Sequence, residues 1–92
     1  MACVYIPSLM QKLTNGVSEI KVDGQNVRQI IDNLDSKFPG IKDRLVENKG
    51  PIPKLKSSIS VAVDGQITTV GLIQKVPANC EIHFLPAIAG GS

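Results

Sequence analysis

Ninety-two residues, 42% hydrophobic and 20% charged, describe one ordinary globular domain able to bury roughly 60–65% of its unfolded surface. The net charge of +2 is too small to hold nucleic acid by electrostatics, and three aromatics, Tyr5, Phe38 and Phe84, make no stacking platform for single strands. No apolar run approaches the roughly 20 residues that cross a bilayer.

The opening "MACVYIPSLMQKL" lacks a basic leader and is broken by Pro7, so it does not read as a signal peptide, and a cytoplasmic protein is expected. "CVYIP" is a short β-rich stretch that Pro7 ends. Asn15-Gly16 is a turn. In "VSEIKVDG", Ser18, Ile20 and Val22 alternate with Glu19 and Lys21, a half-buried strand closed by Asp23-Gly24. The two strands form a loose hairpin.

In "NVRQIIDNLDSKFPG", Val27, Ile30, Ile31, Leu34 and Phe38 fall on one helical stripe. Asn26 caps it, with Gln29 at the third helical position in a capping-box-like arrangement, and Pro39-Gly40 stop it. Asp32 and Asp35 read as its solvated side. "IKDRLV" predicts a second short helical turn through Ile41 and Leu45. "ENKGPIPKLKS" predicts a wet loop, because Gly50, Pro51 and Pro53 oppose regular structure. "SISVAVDGQ" is a strand with Ile59, Val61 and Val63 inward and an Asp64-Gly65 turn. "ITTVGLIQKVPAN" reads as irregular. "CEIHFLP" is a last strand with Ile82 and Phe84 inward and His83 and Leu85 outward, stopped at Pro86.

Strands, one amphipathic helix and more strands imply an α+β domain. The element order matches the β-grasp, or ubiquitin-like roll, a mixed sheet on one main helix with the last strand beside the first. The domain is expected over 1–86, with a flexible Gly-Gly tail over 87–92.

Catalytic chemistry is thin. His83 is the single histidine, and an outward histidine on a strand reads as a surface residue. No phosphate loop, nucleophile elbow or metalloprotease motif occurs. Cys3 and Cys80 have no CxxC spacing and, with His83 alone beside them, fall short of a zinc site; they read as free thiols. The chain is therefore not expected to be an enzyme, to bind a metal or to hold a cofactor. That leaves the tail, Ala87-Ile88-Ala89-Gly90-Gly91-Ser92. Glycine permits close backbone approach, so such an arm can thread a narrow cleft and present a carboxylate there.

"FLPAIAGG", preceded by "VYIP", "FPGIKDRLV" and "SVAVDG", resembles the ubiquitin-like sulfur carriers of the MoaD/ThiS type over nearly the whole chain. The long insertion between helix and third strand and the "LPAIAGG" ending are most similar to the carrier of thiocarboxylate-dependent cysteine synthesis. The resemblance implies that an E1-like adenylating enzyme uses ATP to activate the Gly91 carboxylate. A thiocarboxylate forms there, and a sulfur-accepting synthase takes the sulfur. It implies that Gly90 and Ala89 thread the partner's cleft and that Tyr5, His83 and Leu85 form the docking face. Ser92 departs from the pattern, since it places the Gly91 carbonyl in a peptide bond. A JAMM-type peptidase that removes Ser92 is the implied processing partner; nucleic acid and membrane are not expected partners. A molybdopterin synthase small subunit, a thiamine-pathway carrier and a protein modifier joined to lysines share the same tail chemistry.

Overall fold

The computed structural model describes residues 1–47, 53–56, 58–68 and 70–86. Five strands build one mixed sheet: β1 (Ala2–Tyr5), β2 (Glu19–Val22), β5 (Ile59–Val63), β6 (Gln66–Ile67) and β7 (Glu81–Pro86), in spatial order β2-β1-β7-β5-β6. β1 and β7 run parallel at its centre, and the other pairings are antiparallel. The main helix, α1 (Val27–Lys37), is followed by α2 (Ile41–Leu45). This is the β-grasp arrangement that the element order implies, with first and last strands adjacent.

The period-2 alternation decides which face is buried. Ile20, Val4, Ile82 and Val63 lie in one register row across four strands, with Phe84 opposite Val61 in the next. Val4 and Ile82 are fully buried, and Val27, Ile30, Ile31 and Leu34 of α1 close over this face with no exposed surface. Asn26 caps the helix as its position predicts: its side chain accepts from the Gln29 N–H at 2.9 Å. The Gln29 side chain reciprocates one residue further out, accepting from the Gln25 N–H at 2.9 Å. Both bonds satisfy N–H groups that a helix start leaves without partners. Gly24 makes the entry possible, since a Cβ there would stand 2.8 Å from Ile30 Cδ1 and 2.9 Å from the Ile30 nitrogen.

Three expectations change. Phe38 leaves the helix as its C-cap and is only partly buried, because the chain turns at Pro39-Gly40 before the stripe completes another turn. Asp32 and Asp35 are not merely a solvated side. The Lys42 Nζ stands 2.7 Å from Asp32 Oδ1, and Asp35 Oδ1 accepts from the N–H groups of Gly40 (3.0 Å) and Lys42 (3.1 Å). They tie α2 back onto α1. Part of the expected loop is also ordered: β3 (Val46–Glu47) pairs with β4 (Lys54–Leu55), Val46 opposite Leu55. Residues 48–52 and 57 of that loop lie outside the described residues.

The turns follow their sequence. Asp64 (φ 50) and Gly65 (φ 85) both take the left-handed region and join β5 to β6 as a two-residue hairpin. Asp64 Oδ1 also accepts from the Glu81 N–H at 2.8 Å, which fixes the start of β7. No helix among the described residues is long and apolar enough to cross a membrane.

Candidate functional site

The outward strand positions gather on the sheet face opposite α1. Parallel pairing places Tyr5 of β1 in register with His83 of β7, and their rings stack with centroids 4.3 Å apart and planes 4° from parallel. Leu85 lies two residues along β7 on the same face, 39% exposed and opposite Ser60. All three residues expected to form a docking face therefore share it, and two are in direct contact. Ala89, Gly90, Gly91 and Ser92 lie outside the described residues. What is described is the root of the tail: Pro86, last residue of β7, pairs with Ile59.

Sequence reasoning missed the company these rings keep. Glu19 is the register partner of Tyr5, and Glu81 that of Cys3, so both carboxylates flank the stack. Glu81 Oε1 lies 3.7 Å from His83 Nε2. The Cys3 thiol donates to Glu19 Oε2 at 3.6 Å. The signal was available in the alternation, since Cys3, Tyr5, Glu19, Glu81 and His83 all occupy outward positions; only the strand register brings them together. The Tyr5 phenol is pushed up to about 12, first through a hydrogen bond with the Cys3 side chain, then by negative charge at Cys3, Glu81 and Glu19. Anionic neighbours disfavour phenolate.

The two cysteines are free and face opposite ways. Cys3 is half-exposed on the outer face. Cys80 is buried, and burial, with the Asp64 charge second, pushes its thiol pKa up. Among the described residues no three His, Cys, Asp or Glu side chains stand close enough to hold a metal ion. A shallow depression lined by Asp23, Gly24, Gln25, Pro77 and Ala78 sits at the end of the sheet away from the tail root. Two further lining side chains, Gln29 and Asn33, bond backbone there: Gln29 accepts from the Gln25 N–H, and Asn33 donates to the Asp23 carbonyl at 2.7 Å.

A five-stranded mixed sheet with parallel first and last strands, one covering helix and a last strand at its centre defines a ubiquitin-like β-grasp protein. Solved structures share this fold along the full chain. The Amycolatopsis orientalis BexX/CysO complex contains a chain that is 33% identical with a TM-score of 0.87, the likeness covering 99% of this chain and 100% of that one. Small archaeal modifier protein 1 of Methanosarcina acetivorans is 25% identical with a TM-score of 0.78, over 98% of this chain and 95% of that one. The sequence matches the ThiS family over residues 4–91, and the chain belongs to that family. The sulfur carrier protein CysO of Mycobacterium tuberculosis is 27% identical over 90 residues, 96% of each chain.

Proposed function

We propose that this protein is a sulfur carrier whose working group is the C-terminal carboxylate of Gly91. The supporting observation is that the ThiS family match extends to residue 91 and so includes the Gly90-Gly91 pair. It is joined by full-length similarity to a protein named as a sulfur carrier. The domain supplies a rigid body and a recognition face, and the tail supplies the chemistry. No side chain of the domain needs to react.

In the proposed cycle an E1-like enzyme activates the tail with ATP. A Gly91 carboxylate oxygen attacks the α-phosphorus, and pyrophosphate leaves. A sulfur donor at the sulfide level then attacks the acyl carbon; AMP departs with the oxygen, and a thiocarboxylate remains. A carboxylate is a poor acyl donor until adenylation supplies that leaving group. A synthase takes the sulfur next, and cysteine synthesis is the pathway that the CysO likeness favours. Ala89 and Gly90 thread the activating cleft, while Tyr5, His83 and Leu85 dock the domain.

Ser92 requires a processing step in this reading. Its removal by a metal-dependent peptidase frees the carboxylate. Even a single residue after Gly91 displaces that group by roughly 3.3–3.6 Å. Displacements of this order cost about 100-fold or more in a positioned reaction.

ATP–pyrophosphate exchange with the adenylating enzyme of the same organism tests the proposal. Protein ending at Gly91 should support exchange, and protein ending at Ser92 should not. Intact-mass measurement of protein from its own host should find a species with one oxygen replaced by sulfur. Lysine-linked conjugates in the same host, with no such species, would transfer the assignment to a protein modifier. No exchange by the Gly91 form would overturn the carrier assignment.

A further inference from the structure

The Tyr5–His83 stack has two outer faces. The one on the His83 side looks toward β5, where the register partner is Ala62, a short side chain already 95% buried. The one on the Tyr5 side looks toward β2, where the register partner is Glu19. That carboxylate is exposed and lacks a cation: among the described residues the ion pairs are Lys42–Asp32 and His83–Glu81. Lys21 sits on the same face opposite Cys3, yet it reaches neither Glu19 nor Glu81 within 4.0 Å. The sheet therefore offers a flat π-surface with a carboxylate at its open side, one that takes the Cys3 thiol on Oε2 but pairs with no cation among the described residues, and a second carboxylate, Glu81, at the next position along. The patch continues into apolar surface at Leu85 and Ile67, which are 39% and 54% exposed.

We propose that this patch receives an arginine side chain of the partner protein, its guanidinium stacked on Tyr5 and paired with Glu19. A guanidinium is planar, weakly hydrated and forked, so one group can stack on a ring and bond a carboxylate together. A lysine ammonium is a compact, strongly hydrated point charge and gains less from the ring. The Tyr5 pKa is raised first by the Cys3 hydrogen bond, and the Glu81 and Glu19 charges add to it, in keeping with two carboxylates close to the ring. The proposal rests on the carrier reading for the partner's identity, and not for the chemistry of the patch.

NMR titration of the full chain with N-acetyl-arginine amide, and separately with N-acetyl-lysine amide, tests it without any partner. Arginine amide should give saturable shifts centred on Tyr5 and His83 and bind roughly two- to fivefold more tightly than lysine amide. Glu19→Gln, an exposed change that leaves the core intact, should remove that preference. Equal responses to the two amides, shifts centred elsewhere, or an unchanged preference in Glu19→Gln would overturn the proposal. In a second arm, Glu19→Gln in protein ending at Gly91 should raise KM for pyrophosphate exchange and leave kcat unchanged. Absence of exchange by the parent protein would count against the carrier reading, while the amide titration decides the arginine site by itself.

Discussion

The two faces of one sheet obey different rules. On the face under α1, the register rows across β2, β1, β7 and β5 are aliphatic or Phe up to Pro86, with polar Gln66 only at the β6 edge, and most of their side chains are buried. On the other face the same strands carry a stacked aromatic pair, two carboxylates, a thiol and a lysine, all at least partly exposed. The inner face is determined by the domain's own need to exclude water, so hydrophobic period and burial predict each other. The outer face carries fewer buried side chains and is less bound by that need.

Substitutions on the two faces should separate cleanly. The largest effect is expected for Leu34→Ala. It empties a fully buried position under α1 and should cost about 2–5 kcal/mol in a denaturant melt. Phe38→Ala should cost less than Leu34→Ala, because Phe38 is only partly buried. Gly24→Ala should follow at about 1–3 kcal/mol, since the new Cβ meets both side chain and backbone of Ile30. Asn26→Ala removes the cap of α1 and should cost about 1 kcal/mol. On the outer face, Leu85→Ser should shift stability by no more than about 0.5 kcal/mol, while raising KM in the exchange assay. A melt in which Leu85→Ser costs as much as Leu34→Ala would erase the distinction between the faces.

The smallest effect concerns pH. Tyr5 is the single tyrosine, so ultraviolet titration reports it alone. Its midpoint should lie near 12, above the ordinary value near 10, and Glu81→Gln should lower it. The sign follows from linkage. A phenol whose pKa is raised on folding contributes stability that is complete below the unfolded value and is lost as pH climbs toward the folded one. A midpoint at 10 would mean that neither the Cys3 side chain nor the carboxylates act on the ring.

The elements that bury their own period were legible in the sequence. α1 announced itself through Val27, Ile30, Ile31 and Leu34 with a cap at Asn26, and β7 through Ile82 and Phe84. β4 was hidden, because Pro51 and Pro53 precede it and Lys54-Leu55 is too short to alternate visibly; its partner Val46 decides it. Asp32 and Asp35 were misread for a related reason. Their partners, Lys42 and the backbone of Gly40 and Lys42, belong to a second helix whose approach no local pattern encodes. On the outer face, Tyr5, His83 and Leu85 were legible as outward residues. Their meeting with Glu19, Cys3 and Glu81 required both the antiparallel register of β1 with β2 and the parallel register of β1 with β7, the second a long-range fact.

That register has a mechanical consequence. The arm beyond Pro86 springs from the middle strand of the sheet, not from an edge. β7 is paired on both sides, with β1 over Glu81 to His83 and with β5 over Ile82 to Pro86. A tug on the arm acts along β7, so it loads both ladders in shear and must strain many hydrogen bonds together. An arm attached to β2 or β6 would be held on one side only, and tension across that strand could open its bonds one after another. In the proposed cycle, a partner that draws the tail into its cleft would thus pull against both ladders rather than unzip one edge.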